Sequence, residues 1–217
     1  MKLLDPKKSC RALTLIDVLI LMAVMALIAV CFLLTLTRSR PRHGPRISCV
    51  NNLKQIGLAF RNWSNEHSEQ FPWNSPRTNV GTRDFAMSSQ VWRHFEITSN
   101  EVSSPKIFFC PADRGRTKAL SWQPRISNRN ISYFIGLDAA ETKPQSVLSG
   151  DRNLSTNDII LAGVVSLQNP TTVRWTAAIH ENAGNIAFGD GSVQQVSGRT
   201  LFQCITNAGL PLRLSIP

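Results

Sequence analysis

An apolar run from Leu13 to Leu36 constrains the fold of this chain most, because Asp17 is its only charged residue. As a helix, the run would be about 36 Å long, enough to cross a hydrocarbon core of about 30 Å. A cleavable secretory signal usually has a shorter apolar core of about 7–15 residues, followed by a small-residue cleavage site. No such site follows Leu36, where the sequence continues TRSRPRHGPR. We therefore predict that residues 13–36 form a retained transmembrane helix.

The basic residues lie mainly on the two sides of this run. Residues 1–46 contain eight Lys or Arg and two Asp, so they contribute +6 of the chain's formal net charge of +10. Basic flanks are typical of segments at a membrane surface, whereas a nucleic-acid-binding face needs its charge on the globular part. The distribution argues against nucleic acid as a partner. Four basic residues precede the run and four follow it, so charge alone does not orient the helix.

Asp17 has two interpretations. As the fifth residue of the run it could lie at the membrane interface, where a carboxylate costs little. It could instead meet a partner charge once the protein is assembled. Both interpretations are compatible with the position of Asp17 near the start of the apolar run.

The residues around Asp17 resemble the processing motif of type IV pilins and type II secretion pseudopilins. RALTLID is similar to the family pattern, in which a basic leader ending in Gly precedes Phe-Thr-Leu-Ile/Val-Glu and an apolar helix. The resemblance implies that residues 1–12 are a prepilin-like leader, cut between Ala12 and Leu13 by a prepilin peptidase. Asp17 occupies the position of the family's glutamate, while Ala12 replaces the usual Gly and Leu13 the usual Phe.

In that family the new α-amino group is methylated and needs an anion in its low-dielectric surroundings. The resemblance implies that Asp17 neutralises the Leu13 amine, in its own chain or a neighbour, and sets the register of packed helices. The implied role is structural and not enzymatic, as a pseudopilin-like subunit or accessory of a type II secretion or type IV pilus-like filament. The implied partners are the peptidase, other pilin-like subunits and the bacterial inner membrane, with the head periplasmic and no cofactor. The alternative is a non-assembling, membrane-anchored protein whose head binds an anionic surface ligand.

Beyond the run, the pattern predicts a Pro/Gly/Arg linker at residues 37–46 and one α+β head at residues 47–217, which the resemblance makes pilin-like. The head should begin with an amphipathic helix from Arg46 to His67 that packs on an antiparallel sheet. Its apolar stripe recurs at helical spacing and comprises Ile47, Val50, Leu53, Ile56, Phe60 and Trp63.

The rest of the head is biased toward strands. Expected strands are KIFFC (106–110), ISYFIGLD (131–138), DIILAGVVSL (158–167), TVRWTAAIH (172–180) and a final LRLSI. NIAFGDGSVQQV predicts a hairpin with a two-residue turn at Asp190-Gly191, which would set Phe188 opposite Val193. RTLFQCITNAG predicts a short helix that stops at Gly209.

The head also resembles a pilin-like family with an uncharacterised C-terminal domain. The similar segments are SCVNNLKQIGLAF, CPAD, YFIGLDAAETKPQSVLSGDRN and HENAGNIAFGDGSVQQVS. In that family a His and an Asp-Gly pair are separated by nine residues, as His180 and Asp190-Gly191 are here. The role of this motif is unassigned in the family, so the resemblance implies architecture more than activity.

Several residues are candidates for a disulfide or for a metal or acid/base site. If the head is exported, Cys49 and Cys110 are a candidate disulfide, the alternative being two buried thiols. His180 with Asp190 and Asp151 could form a metal or acid/base site, but a structural His and a turn Asp explain them more simply. The absence of a CxxC pair argues against structural zinc, and no nucleophile or phosphate-binding motif indicates an enzyme.

One cluster of basic residues has no acidic residue within it. Its members, all within sixteen residues, are Arg114, Arg116, Lys118, Arg125 and Arg129. A solvated loop is the simpler interpretation, and an anion-binding patch for polysaccharide, lipid headgroups or DNA is the alternative.

Overall fold

The computed structural model describes residues 14–38 and 44–217. These two ranges belong to two separate compact units, which divide between Arg42 and His43. The predicted leader, Ala12 and Leu13 lie outside the described residues. The first unit contains α1 (Leu15–Arg38). Within it, Leu15–Leu34 has a mean hydropathy of 2.9 and is long enough for a single membrane span, although a signal sequence would have the same character. Its side chains are exposed as far as Leu34.

A capping box begins α1. Oδ2 of Asp17 accepts hydrogen bonds from the Thr14 backbone N–H at 3.0 Å and the Thr14 hydroxyl at 2.8 Å. In return, Oγ1 of Thr14 accepts from the Asp17 backbone N–H at 3.3 Å. These bonds satisfy backbone donors that have no partner in the first turn of a helix. Asp17 therefore has a local structural role, which the sequence motif did not suggest.

The second unit is an α+β head, and in its described residues three α-helices accompany nine strands. The helices are α2 (Gly44–Glu66), α3 (Trp92–Glu96) and α4 (Gly198–Ala208). The strands are β1 (Tyr133–Gly136), β2 (Val147–Asp151), β3 (Leu154–Thr156), β4 (Ile159–Ile160), β5 (Gly163–Leu167), β6 (Val173–Trp175), β7 (Gly184–Phe188), β8 (Val193–Val196) and β9 (Leu212–Ile216). Short 3-10 helices lie at Arg77–Asn79, Arg83–Phe85, Ile97–Asn100, Pro105–Phe108, Asn128–Asn130 and Pro170–Thr172.

Two antiparallel sheets organise the head. Six strands lie in the order β5-β9-β1-β2-β7-β8, and three form a smaller sheet in the order β4-β3-β6. Helix α2 packs on β2, β7 and β8. Because successive strand residues face opposite sides, Tyr133 and Ile135 join the core beneath α2, whereas Phe134 joins a second core that includes Leu201 and Ile205 of α4. The predicted α+β class and the antiparallel sheet are thus present.

The buried face of α2 differs slightly from the predicted stripe. Ile47 is 54% exposed, and Cys49 takes its place against the core. The helix begins at Gly44, so the linker assigned to residues 37–46 was too long at both ends. Pro45 is tolerated in the first turn of α2 because proline lacks a backbone N–H, and first-turn N–H groups have no acceptor within the helix.

Three strand predictions need correction. The first part of KIFFC belongs to a 3-10 helix, Pro105–Phe108, and not to a strand. A short, buried apolar run of this kind has the same composition in either conformation. DIILAGVVSL is two strands, separated before Gly163, whose φ is +73°. TVRWTAAIH is extended only over Val173–Trp175. Conversely, β2 was not predicted, because VLSGD has weak intrinsic strand preference and forms a strand through its central place between β1 and β7.

The hairpin is present with a different register. Ala187, not Phe188, pairs with Val193. The Phe188 N–H donates to the Ser192 carbonyl at 2.9 Å, so the loop has three residues, Gly189 to Gly191. Gly191 takes a left-handed φ of +84°, as three-residue hairpin loops require. The predicted stop of α4 at Gly209, where φ is +92°, and the final strand β9 are confirmed.

Candidate functional site

Four residues with metal-ligating side chains meet beneath α2. Cys49 lies on α2, Cys110 follows the Pro105–Phe108 turn, Asp151 ends β2 and His180 precedes β7. One ligand atom from each lies within 4.8 Å of the others. We call these four residues the core cluster. They are widely separated in sequence, so no local spacing motif marks them.

The two cysteines of the core cluster form a disulfide. Their Cα atoms are 5.3 Å apart, and both residues are completely buried. The bond links α2 to the segment that enters β1, which are separated by 61 residues in sequence. It therefore joins α2 covalently to the segment that follows the 3-10 helix Pro105–Phe108.

His180 lies against the disulfide. Its Nε2 is 3.4 Å from the Cys110 Sγ and 3.5 Å from Oδ2 of Asp151, and its side chain is 3% exposed. Burial, aided by the Arg46 charge, lowers the pKa of His180 to about 4. The imidazole is therefore neutral at pH 7, and its contact with Asp151 is not an ion pair.

Asp151 is completely buried and only partly satisfied. Its Oδ2 accepts hydrogen bonds from the backbone N–H and the side-chain Nδ2 of Asn185, at 2.7 and 2.8 Å. Its Oδ1 has no hydrogen-bond partner among the residues that the structure describes. Burial raises the pKa of Asp151 to about 7, against the opposing effect of its bonds to Asn185 and of the Arg46 charge. The carboxyl group is therefore held in place with one acceptor oxygen unused.

Asn153 positions the loop that carries His180. Its Nδ2 lies within hydrogen-bond distance of three carbonyl oxygens, those of Thr176, Ile179 and Ala183, at 2.8–3.1 Å. His180, Glu181 and Asn182 then take left-handed φ values of 55°, 54° and 62°, which non-glycine residues rarely adopt. This loop directs His180 into the core. Sequence reasoning missed Asn153, Asn185 and Arg46, because only the fold places them beside the core cluster.

Asp190 does not join the core cluster. It lies beyond the other end of β7, a strand whose five residues span about 16 Å. Its Oδ1 accepts from the Ser192 backbone N–H at 2.8 Å, and its carbonyl accepts from Arg61 of α2 at 2.6 Å. The His-x9-Asp-Gly spacing therefore marks the two ends of one strand. Asp190 is the turn residue that the simpler interpretation expected, and the alternative of one site shared by His180 and Asp190 is not supported.

Replacing Gly191 should measure what the second half of this motif contributes. Gly191→Ala should lower the free energy of unfolding by about 1–2 kcal/mol, because a side chain disfavours the left-handed conformation. Its Cβ would also lie 3.3 Å from the Arg61 Nη1. Chemical denaturation of the detergent-solubilised chain measures the change.

The matched control is Gly198→Ala, at the start of α4, where an added Cβ meets nothing within 4 Å. This change should be neutral or slightly stabilising, since it reduces the entropy of the unfolded chain. Equal effects at the two glycines would show that the turn does not require Gly191.

Two members of the candidate anion-binding patch already bond to other residues of the head. Arg125 pairs with Glu96 and lies over the Trp92 ring, 4.8 Å from its centroid. Arg116 donates to the carbonyls of Ile131 and Pro217. The remaining exposed members are Arg114, Lys118 and Arg129. The patch is therefore less concentrated than its sequence indicates, and Glu96 adds an acidic neighbour.

No protein-family model, curated protein or solved structure matches this chain. The fold and the site define an α+β head with a buried disulfide, in a chain that also carries an N-terminal apolar helix. The pilin-like resemblance remains a prediction from the residues that carry it.

Proposed function

We propose that this chain is a membrane-anchored structural subunit of a pseudopilin-like filament, or an accessory of one. The observation that carries the proposal is α1, which combines a TLID start with a strongly apolar 20-residue stretch, Leu15–Leu34, that is not buried by any residue that the structure describes. Such a surface needs lipid or neighbouring helices to cover it. A filament whose subunits pack through their N-terminal helices in a bilayer provides both.

The disulfide supports a head outside the cytoplasm. Disulfides persist in the periplasm and other oxidising compartments and are rare where cellular thiols keep proteins reduced. The head places Cys49 and Cys110 in bonding contact. We infer that α1 crosses the bacterial inner membrane once, with the head on the periplasmic side.

The buried site supports a structural role over catalysis. Cys49, Cys110 and Asp151 are each 0% exposed, so a substrate in solution cannot reach them. A catalytic site needs an accessible pocket that holds its reactive groups. One cavity, of about 300 Å³, lies away from these residues and is lined by Glu66, His67 and Asn79 among others. A non-enzymatic head therefore fits the geometry best.

Processing of the N-terminus tests the proposal. In cells that contain a prepilin peptidase, intact-mass measurement on membrane-extracted protein should show loss of residues 1–12 and a methyl group on the new N-terminus, Leu13. Ala12→Gly, which installs the family's usual residue, should be processed at least as completely. A bulky, charged replacement, Ala12→Arg, should remain full length.

The opposite result is equally informative. Recovery of only the full-length wild-type chain, while Ala12→Gly is cleaved, would show that the native sequence escapes the peptidase. The chain would then be a plain membrane anchor, and a binding role for Arg114, Lys118 and Arg129 would become the better hypothesis.

A further inference from the structure

We propose that the core cluster binds one Zn²⁺ when Cys49 and Cys110 are in the dithiol form. The ligands would be the two thiolates, Nε2 of His180 and a carboxylate oxygen of Asp151. Disulfide and zinc would then be alternative links at the same place in the core. This inference concerns the head alone and does not depend on filament assembly.

The spacing of the ligand atoms suits tetrahedral zinc. Bonds of about 2.3 Å to sulfur and about 2.1 Å to nitrogen and oxygen give tetrahedral edges of about 3.6 Å for S···N and 3.4 Å for N···O. The corresponding distances are 3.4 Å from Cys110 Sγ to His180 Nε2 and 3.5 Å from His180 Nε2 to Asp151 Oδ2. Zinc also needs its two sulfurs about 3.8 Å apart, so binding requires the disulfide to be open.

The surroundings of the core cluster resemble those of a ligand site. The buried Oδ1 of Asp151 has no hydrogen-bond partner among the described residues, so this carboxylate has acceptor capacity that the fold does not use. Asn185 donates two hydrogen bonds to Oδ2, the oxygen that lies 3.5 Å from His180 Nε2, and outer residues commonly orient a ligating carboxylate in this way. The loop fixed by Asn153 holds the His180 ring against both partners.

The local charges also balance. Two thiolates, one carboxylate and a neutral imidazole around Zn²⁺ carry a net charge of −1. Arg46 supplies +1: its Nη2 donates to the Gly184 carbonyl at 3.3 Å, and its charge acts on both Asp151 and His180. A buried zinc site with this charge is therefore compensated by a fixed cation.

The chemistry of the exchange is simple. Zinc binding displaces the two thiol protons and changes no oxidation state. While the core is open during folding, one thiolate attacks an external disulfide oxidant to give a mixed disulfide, and the second thiolate then attacks the cysteine sulfur of that mixed disulfide to form the Cys49–Cys110 bond. Two electrons pass to the oxidant, which leaves as two thiolates, and Zn²⁺ is released. Until then the metal would hold these sulfurs together and away from other thiols such as Cys204.

Zinc loading of the reduced full-length chain tests this inference. The detergent-solubilised protein is reduced with a phosphine, reduction is verified by the mass gained on alkylation, and the remainder is loaded with Zn²⁺ and desalted. Elemental analysis should find about one zinc per reduced chain and none per oxidised chain. Cobalt in place of zinc should give the thiolate charge-transfer and visible bands of a tetrahedral sulfur-ligated ion.

Substitutions define the ligands. His180→Ala and Asp151→Asn should each lower zinc affinity at least tenfold and weaken the tetrahedral cobalt bands. Asp190→Asn, in the other half of the motif, and Cys204→Ser, a buried thiol outside the core cluster, should bind as the wild type does. Zinc should also raise the melting temperature of the reduced wild type but not of His180→Ala.

Two results would overturn the inference. The first is a reduced wild-type chain that retains no zinc, whether or not it stays folded by circular dichroism. The second is stoichiometric zinc that His180→Ala and Asp151→Asn retain with unchanged affinity, since the metal would then lie elsewhere.

Discussion

The Cys49→Ala/Cys110→Ala double variant is expected to lose about 4 kcal/mol of unfolding free energy. The disulfide closes a loop whose ends are separated by 61 residues, and removing such a closure restores about this much entropy to the unfolded chain. Small domains have total stabilities of about 5–15 kcal/mol. A head of this size should therefore melt roughly 8–16 °C lower without the bond.

Cys204→Ala is the matched control for this loss. Cys204 is buried on α4 but forms no disulfide, so its replacement removes one sulfur and no covalent link. Its effect should be about 1 kcal/mol. Denaturation of the detergent-solubilised protein gives the free energy of unfolding of the wild type, the double variant and Cys204→Ala. Without metal, the reduced wild type should be about as stable as the double variant. If the double variant and Cys204→Ala lose equal stability, the bond does not hold the head together.

Asp17→Asn is expected to abolish cross-linking between subunits while membrane content stays level. Under the proposed function, the Asp17 carboxylate faces the amine that processing creates at Leu13. Removing one partner of a buried charge pair typically costs about 3–5 kcal/mol, because the other charge is left uncompensated. Insertion should be unaffected or improved, since the amide is easier to bury than the ion. Membrane fractionation and cross-linking in cells provide the two measurements.

The capping box supplies a second, purely local role for Asp17, and matched variants separate the two. The amide oxygen of Asn can still accept the Thr14 N–H bond, so Asp17→Asn removes the charge and retains a cap. Thr14→Val removes the capping hydroxyl and retains the charge. Asp17→Glu retains the charge of the usual family residue.

The charge hypothesis predicts that Thr14→Val and Asp17→Glu still cross-link. If Thr14→Val loses cross-linking while Asp17→Asn retains it, Asp17 acts as a helix cap. The proposed register contact between subunits would then be wrong. Unchanged cross-linking in Asp17→Asn, whatever Thr14→Val does, would show that assembly does not need the Asp17 charge.

Several parts of the fold follow from short-range patterns. The apolar run predicts α1, the stripe from Leu53 to Trp63 predicts α2, and Gly209 marks the end of α4. Each depends on residues within a few positions of one another, where side-chain periodicity and glycine geometry decide the conformation. For the same reason Asp190-Gly191 indicates a hairpin, even though its register was predicted one residue away from the observed pairing.

Other parts depend on contacts between distant segments. The strand β2 forms from residues with weak strand preference because β1 and β7 supply its hydrogen-bond partners on both sides. KIFFC has the composition of a strand, yet its first residues form a 3-10 helix. That helix leads to Phe108 and Cys110, which are both buried in the core. Composition does not distinguish these outcomes, since both bury the same apolar surface.

Local periodicity along the chain is enough to predict the apolar N-terminal helix, the amphipathic second helix and the α+β head. The sequence also singled out the two cysteines and His180, but not their common place. Only the tertiary structure brought Cys49, Cys110, Asp151 and His180 within 4.8 Å and moved Asp190 to the far end of β7. Which distant segments come into contact depends on burial and strand pairing throughout the fold. The free energy of the whole fold decides these contacts, and no spacing along the chain encodes them.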